Sequence, residues 1–315
     1  MSDLDRAADD ERGLLAAVAR AYYLEDISRI DIAEKLGISR FKVARLLARA
    51  RQEQIVTITI NDAGLPDAPL GERLRETLGL AACHVVRSHG EPNNVRRQIG
   101  AAAARLLSAT LRPSEVLGVT WGRTLKATTS QLEHLPRLSV VQLTGFVAGD
   151  LSSSPLEVVR DASKRSGGDI YPMFAPLYVQ DRATAEGLRR HPDIRAAMDL
   201  YPSITTALLS IGSWSPTDTT VRDVLDLEDL SRAIAGGCVA DVAGTLIGED
   251  GELVDPELQE RCIAIPYEQL KKVPRIVAVA GGAAKAAAIR AAARAGLVTE
   301  LVTDHELALA VLALA

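Results

Sequence analysis

Residues 29–51 are RIDIAEKLGISRFKVARLLARAR, and their pattern changes at Gly37. Before that glycine, apolar residues recur at helical spacing, and Gly37 itself supplies a turn. After it, Ser39 is a good helix N-cap, and a second apolar stripe follows at i, i+3, i+4 and i+7, formed by Val43, Leu46, Leu47 and Ala50. Two short helices joined by a glycine turn, with small Ala33 allowing a close crossing, predict a helix-turn-helix arrangement.

The second predicted helix carries positive charge on one side. Between Ser39 and Gln52 there are five basic residues and no acidic one. The second helix of a helix-turn-helix enters the major groove, so this charge predicts binding to double-stranded operator DNA. The alternative is an ordinary amphipathic pair whose basic face is merely solvated. The candidate DNA contacts are Ser39, Arg40 and Lys42 at base edges or nearby phosphates, Arg45 and Arg49 further along the groove, and Arg29 near the backbone.

Composition narrows the class of protein. The 315 residues carry a net charge of −5 and are 47% hydrophobic, as in an ordinary globular protein. Aromatic residues make up 3%, too few to offer much stacking surface to single-stranded nucleic acid. Three cysteines without metal-type spacing, an acidic N-terminus and no apolar run near ~18 residues predict a cytoplasmic protein with no metal, cofactor or membrane span.

The chain changes character near residue 60. The segment Ile55 to Ile60 alternates apolar residues with threonine, which predicts a wing or bridging strand. Asn61 to Pro69 then contains two prolines and a glycine. We therefore expect a DNA-binding domain over residues 1–60, a linker over 61–69, and a second, larger domain over 70–315.

From residue 70 onward, helix-type and strand-type segments alternate. Helical patterns cover 70–78, 95–111 and 124–135, and apolar strands are predicted at 83–86, 116–120, 140–143, 207–211 and 276–280. Short apolar strands separated by helices predict an α/β fold with a mainly parallel, Rossmann-like sheet covered on both faces. Ligands on such sheets lie at the carboxyl ends of the strands.

Three loops that follow predicted strands carry groups suited to an anion. Taken singly, each also fits a plain turn or a solvated helix residue. Together, their N–H groups, hydroxyls and two cations favour a phosphorylated or highly hydroxylated ligand. The loops are Thr120 to Thr124 (TWGRT), Gly145-Phe146 with Ser152, Ser153 and Ser154 downstream, and Gly281-Gly282 followed by Lys285.

Acid–base chemistry has little support in the sequence. Asp241, in the mostly apolar stretch CVADVAGT, could accept hydrogen bonds from sugar hydroxyls or cap a helix. It has no convincing acid–base partner, and no nucleophile elbow or metal triad is present. We predict no catalytic residues. An isomerase or deaminase of sugar phosphates with an accessory helical domain is the alternative function, and a DNA-binding protein with a degenerate sensor scaffold is a third.

Three stretches resemble the SorC-type family of bacterial transcription regulators that respond to sugars. They are AYYLEDISRIDIAEKLGISRFKVARLL at 21–47, GVTWGRTL at 118–125, and AGGAAKAAAIRAAARAGLVTELVTD at 280–304. The resemblance implies a sensor domain related in fold to sugar-phosphate isomerases, which binds a phosphorylated sugar or sugar alcohol without turning it over. It also implies a homo-oligomer, dimer or commonly tetramer, acting on an operator near a carbohydrate operon.

The same resemblance assigns residues to the effector site. Where such regulators tend to have Gly-Gly after the VQL strand, this chain has Gly145-Phe146, and Arg123 is bulkier than the small residue expected there. Thr120, Gly122, Arg123 and Thr124 would meet phosphate or hydroxyls, Gln142 and Gly145 would line the neighbouring loop, Asp241 would bind hydroxyls, and Lys285 would pair with a phosphate.

Overall fold

The computed structural model describes residues 11–57, 64–147 and 154–314. The chain divides into two compact units, Met1–Asn61 and Asp62–Ala315. Among the described residues, no helix is both long enough and apolar enough to cross a membrane. The segment 58–60 of the expected wing and Ser152 and Ser153 lie outside the described residues.

Within residues 11–57, the first unit contains three helices, α1 (Glu11–Tyr23), α2 (Arg29–Leu36) and α3 (Arg40–Gln52). The hydroxyls of Ser28 and Ser39 cap α2 and α3, each accepting a backbone N–H from the residue three positions on. Between the two helices, Gly37 has φ 62°, a left-handed conformation that glycine adopts without a steric penalty. The predicted apolar stripe of α3 is confirmed, because it is buried together with residues of α1 and α2, the buried members of α3 being Val43, Leu46, Leu47 and Ala50.

The region predicted as wing and linker differs from expectation. Residues 55 and 56 form a bend and residue 57 has no regular structure, so the described part of the wing segment is not a strand. The second unit also starts before residue 70: Leu65–Pro66 is an edge strand, and α4 (Ala68–Leu78) begins within the predicted linker. The prolines predict a break in regular structure here, yet a proline fits the first turn of a helix. The N–H groups of that turn form no intrahelical hydrogen bond, so the lack of an N–H in proline costs nothing there. Asp67 caps this helix through Leu70 N–H.

The second unit is built on an eight-stranded sheet with the order β1-β2-β12-β11-β6-β3-β4-β5. Among the described strands of this sheet, the β1–β2 pair alone is antiparallel, so the predicted, mainly parallel α/β sheet is confirmed. The strands are β1 (Leu65–Pro66), β2 (Ala82–Arg87), β3 (Val116–Val119), β4 (Ser139–Gln142), β5 (Ile170–Tyr171), β6 (Thr206–Leu209), β7 (Ile211–Trp214), β8 (Thr217–Asp218), β9 (Cys238–Val242), β10 (Thr245–Gly248), β11 (Arg275–Val279) and β12 (Glu300–Asp304).

Helices cover both faces of this sheet. Alternate residues of β11 belong to two separate apolar cores, Ile276 and Ala278 to one and Val277 and Val279 to the other. This alternation is what a strand buried on both faces requires. Besides α4, the helices are α5 (Pro92–Thr110), α6 (Arg123–Ser130), α7 (Pro155–Ser166), α8 (Arg182–Arg190), α9 (Pro192–Met198), α10 (Leu227–Ala235), α11 (Pro256–Glu260), α12 (Tyr267–Leu270), α13 (Ala286–Arg294) and α14 (His305–Ala313), with single 3-10 turns at Tyr201–Ser203 and Ala283–Lys285.

A second, antiparallel sheet with the order β10-β9-β7-β8 was not predicted. The chain passes from the large sheet into this one at Ser210, the single residue between β6 and β7. The predicted strand 207–211 therefore spans the end of one strand and the start of the next. Because β7 continues directly from the carboxyl end of β6, the small sheet stands beside the strand ends where ligands bind.

A close helix contact fixes the position of α6. A Cβ atom added at Gly100 in α5 would lie 2.7 Å from the backbone carbon of Ala127 in α6. The two backbones therefore approach more closely than any side chain would allow. Since α6 begins at the carboxyl end of β3, this contact also fixes where its N-terminus lies.

We expect Gly100→Ala to destabilise the protein by about 1–3 kcal/mol, because the added methyl group overpacks a backbone contact. The matched control is Gly187→Ala in α8, where a Cβ would meet nothing within 4 Å. That substitution should stabilise by about 0.5–1 kcal/mol, the ordinary gain for alanine over glycine in a helix. Chemical unfolding of both variants tests the contact. Equal effects of the two substitutions would mean that α5 and α6 have room to separate.

Candidate functional site

A cleft of about 520 Å³ lies at the carboxyl ends of β3, β6 and β11. Two of the three predicted loops meet there, the loop after β3 and the loop after β11. The small antiparallel sheet supplies much of the remaining wall. The lining residues are Arg96, Trp121, Gly122, Arg123, Thr124, Ser210, Ile211, Gly212, Thr217, Asp218, Thr219, Thr220, Asp223, Asp241, Val279, Gly281 and Lys285.

The loop after β3 is tied to the end of β6. Thr120 is buried and does not line the cleft; its hydroxyl accepts the Ser210 N–H at 3.3 Å, and the Ser210 hydroxyl donates to the Trp121 carbonyl at 2.5 Å. Gly122 has φ 136°, and a Cβ there would come within 2.9 Å of Ser210 Oγ. Gly122 also caps α6 without a side-chain hydrogen bond. The first-turn N–H groups of α6 have no intrahelical partners, so this cap leaves them for an anion.

Three charged side chains form a cluster across the cleft. Arg123, the first residue of α6, donates to Asp218 Oδ1 at 2.5 Å. The Lys285 ammonium donates to the Ile211 carbonyl at 2.6 Å and lies 3.4 Å from Asp218 Oδ2. Lys285 ends the 3-10 turn Ala283–Lys285, and its side chain is 15% exposed. The cluster thus joins the central sheet to the small sheet through a nearly buried cation.

The electrostatics of these groups follow from burial and from one another. Burial lowers the pKa of Lys285, and Asp218 and Asp241 oppose that shift. Burial alone would raise the pKa of Asp218, but Lys285 and Arg123 bring it below its ordinary value. Burial and the nearby Arg123 charge lower the pKa of Arg96, which Asp218 counteracts. The Arg123 charge therefore acts on both Arg96 and Lys285, and the Asp218 carboxylate stabilises the charged forms of these two cations.

Asp241 lies in β9, buried against the cleft, so the helix-cap interpretation of this residue is wrong. Its Oδ2 accepts the Trp214 indole N–H at 3.1 Å. Burial raises the pKa of Asp241, and hydrogen bonds from Thr219 and Trp214 counteract that rise. A carboxylate held in this way can still accept hydrogen bonds from ligand hydroxyls through its remaining lone pairs.

Gln142 and Gly145, predicted for the same site, do not line this cleft. The Gln142 amide is fully buried; its Nε2 donates to the carbonyls of Thr144 and Met173, and its Oε1 accepts the Met173 N–H. Gly145 N–H donates to the Ile263 carbonyl, and a Cβ there would come within 2.5 Å of the Pro176 carbonyl. Both residues hold the chain after β4 in place, so their assignment to the effector is not retained.

In the first unit, the candidate DNA contacts separate into two groups. Arg40, Lys42 and Arg45 are exposed on α3, and Arg29 is exposed at the start of α2. Arg49 instead forms ion pairs within the unit: its guanidinium lies 2.5 Å from the Glu11 carboxylate and 2.8 Å from the Glu53 carboxylate. Hydrogen bonds to these two carboxylates raise the pKa of Arg49. The exposed basic surface is therefore concentrated at the N-terminal half of α3.

Several lining residues were missed by inspection of the sequence. Arg96 belongs to a helical pattern and resembles any surface arginine there. Asp218 and Ser210 belong to a hairpin and a strand junction that no local pattern indicated. In the first unit, Phe41 is 69% exposed next to Arg40, whose guanidinium lies 5.1 Å from the ring centroid. A phenylalanine that lies within the basic stretch but outside the apolar stripe of the helix is the sequence signal that could have identified Phe41.

Comparison with known proteins shows which family the chain resembles. The sugar-binding domain family, Sugar-bind, matches residues 66–313. The chain is 31% identical to the transcriptional regulator LsrR of Klebsiella pneumoniae subsp. pneumoniae, over 97% of this chain and 94% of that protein. It is 26% identical to the erythritol catabolism regulatory protein EryD of Brucella abortus, over 97% and 98% of the two chains.

Solved structures show the same fold. The full-length sorbitol operon regulator SorC from Klebsiella pneumoniae superposes with a TM-score of 0.71 at 24% identity, covering 96% of this chain and 98% of that one. LsrR and EryD are both regulators, so the alternative that this chain is a sugar-phosphate isomerase or deaminase is not retained. With a sugar-binding domain over most of its length and regulators as its relatives, the chain belongs to the SorC-type family of sugar-responsive bacterial transcriptional regulators.

Proposed function

We propose that the chain binds an operator through α3 and that a phosphorylated sugar or sugar alcohol in the cleft sets its affinity for that DNA. The observation that carries this proposal is the convergence of Arg123, Lys285 and the N-terminus of α6 on one wall of the cleft. The names of two relatives refer to erythritol and sorbitol, which supports a polyol or sugar as the rest of the effector.

The two ends of such an effector would meet different chemistry. Its phosphate would accept hydrogen bonds from the first-turn N–H groups of α6 and from Arg123 and Lys285. Its hydroxyls would donate to the carboxylates of Asp241 and Asp223 and exchange hydrogen bonds with Thr219. A ligand that has both a phosphate and hydroxyls would therefore form favourable contacts with both walls of the cleft, and these contacts would increase its affinity.

The DNA-binding face is proposed at the exposed start of α3. Arg40, Lys42 and Arg45 would contact phosphates or base edges in the major groove, and Arg29 the backbone. Ser39 is engaged as the helix cap, which places the first turn of α3 for that contact. Phe41 adds an apolar group suited to the methyl group of a thymine.

Regulation also requires an assembly. Operators of two-fold symmetric regulators have half-sites at a spacing that the protein dimer sets. We therefore propose a homo-oligomer, a dimer or tetramer, in which the effector has different affinities for DNA-competent and DNA-incompetent arrangements. An effector that bound both arrangements equally would shift nothing.

Loss of the buried ammonium should separate effector response from DNA binding. We expect Lys285→Met to weaken effector binding roughly 100-fold, since truncating a buried, hydrogen-bonded charge is costly. Operator binding itself should persist without effector, because Lys285 lies outside the first unit. Anisotropy titrations of the DNA upstream of the coding sequence, at one stated salt concentration, would be repeated with a panel of phosphorylated and free sugars and polyols.

The matched control is Lys272→Met, which removes an exposed lysine of the same unit. It should respond to the active compound as the wild type does. An unaltered response in Lys285→Met would exclude Lys285 from the effector site. If the wild-type protein binds the DNA and no compound in the panel shifts that binding, the proposed function fails.

Salt dependence tests the DNA-binding face. We expect Lys42→Ala and Arg45→Ala each to weaken operator binding and to reduce the slope of log affinity against log salt by about one. Arg49→Ala should reduce the slope less, because Glu11 and Glu53 already engage that guanidinium. Arg73→Ala, on the exposed side of α4, controls for the loss of one positive charge. Equal slopes in wild type, Lys42→Ala and Arg45→Ala would move the DNA contact away from α3.

A further inference from the structure

Asp218 engages two cleft cations at once. Its Oδ1 accepts a hydrogen bond from Arg123 at 2.5 Å, and its Oδ2 lies 3.4 Å from Lys285 Nζ. The two cations follow β3 and β11 of the large sheet, whereas Asp218 belongs to β8 of the small one. Two oxygens of one anionic group thus face one cation each, which is how two oxygens of a phosphate would bind the same pair.

The other carboxylates of the cleft do not share this arrangement. The lining contains three basic residues and three acidic ones, the acidic ones being Asp218, Asp223 and Asp241. Asp241 accepts the Trp214 indole N–H, and Asp223 forms no ion pair with Arg123 or Lys285 among the described contacts. A phosphate beside these two cations would also be held against the Asp218 carboxylate, where like charges repel at short range. The effector and Asp218 therefore compete for the same positions.

We propose that Asp218 is an intramolecular competitor of the effector, whose anionic group displaces the Asp218 carboxylate from Arg123 and Lys285. This inference rests on the proposed function, because it concerns the same cleft and the same ligand. It makes Asp218 a determinant of specificity. A neutral polyol cannot supply the charge that a nearly buried ammonium loses when its carboxylate partner leaves, whereas a phosphate can.

Displacement of Asp218 would alter the surroundings of both tryptophans of the chain. Thr220, two residues after Asp218, accepts the Trp121 indole N–H at 3.2 Å. Trp214 pairs with Thr217 in the β7–β8 hairpin and donates its indole N–H to Asp241. These are the only two tryptophans in the sequence. Intrinsic tryptophan fluorescence therefore reports on this cleft.

The test is a titration of the full chain with inorganic phosphate at constant ionic strength, followed by tryptophan fluorescence and by calorimetry. We expect Asp218→Asn to bind phosphate roughly tenfold more tightly than the wild type, because two competing ion pairs are lost and each partly exposed pair is worth up to about fivefold. Asp218→Ala should behave in the same way. The double variant Asp218→Asn with Arg123→Gln should lose most of this increase in phosphate affinity, because it lacks one of the two cations that bind the phosphate.

Asp223→Asn provides the comparison for general electrostatics. It removes one negative charge from the same cleft without breaking an ion pair to Arg123 or Lys285. The resulting increase in phosphate affinity should therefore stay below about threefold. Equal gains in Asp218→Asn and Asp223→Asn would overturn the proposal. Weaker phosphate binding in Asp218→Asn would overturn it too and would make Asp218 a positioning residue for the cations. Failure of phosphate to bind any variant would also reject it.

These titrations contain no DNA, so their outcome is independent of the operator assay. If Asp218→Asn tightens phosphate binding while no sugar shifts operator binding, the competition between Asp218 and an anion is supported and the proposed function fails. If a sugar phosphate shifts operator binding while Asp218→Asn leaves phosphate affinity unchanged, the function stands and the competitor is rejected. Unfolding temperatures of the variants without phosphate would show that each is folded.

Discussion

The burial of the Lys285 ammonium is the constraint on which the cleft depends. Removing an ammonium from water costs on the order of several kcal/mol even after relaxation, unless carbonyl and carboxylate oxygens replace its hydration. Here the Ile211 carbonyl and Asp218 supply those oxygens, and both belong to the small antiparallel sheet. Lys285 itself follows β11 of the large sheet. The charge of one side chain thus requires both sheets to meet at this point, and the cleft exists where they meet.

The strand junction at Ser210 makes that meeting geometrically possible. One residue separates the parallel strand β6 from the antiparallel strand β7, and its backbone and hydroxyl both bind the loop after β3. Gly122 must be a glycine on two counts, its φ of 136° and the 2.9 Å approach of Ser210 Oγ to a Cβ. An ordinary parallel sheet offers helix N-termini at its strand ends. This chain adds a second sheet there, which provides carboxylates opposite the cations. On the proposed function, this arrangement would let one site bind phosphate and hydroxyls together.

How much the sequence could predict depended on the range of the interaction. The stripe of α3 and the strands of the large sheet were predictable because burial imposes a local period on the residues. Lys285 was predictable because a glycine pair after a strand placed it at a strand end. The Arg49–Glu11 pair spans 38 residues and the Arg123–Asp218 pair spans 95, so no local pattern contained either. Gln142 illustrates the opposite error, since the family resemblance assigns it to the effector site although the buried carbonyls of Thr144 and Met173 accept the hydrogen bonds of its amide.

The distinction between a sensor and a scaffold lies in whether the cleft has two stable arrangements of charge. A preformed cationic pocket would bind an anion without changing anything else, and such binding cannot by itself alter affinity for DNA. A pocket whose cations are already paired behaves differently, because each bound anion must release a carboxylate. Asp218 stands in a two-residue strand at the edge of the small sheet, held by the pairs Ser213–Asp218 and Trp214–Thr217. We therefore infer that effector binding acts on this hairpin. On that proposal the edge strand, and not the parallel sheet, is the element whose equilibrium the effector controls.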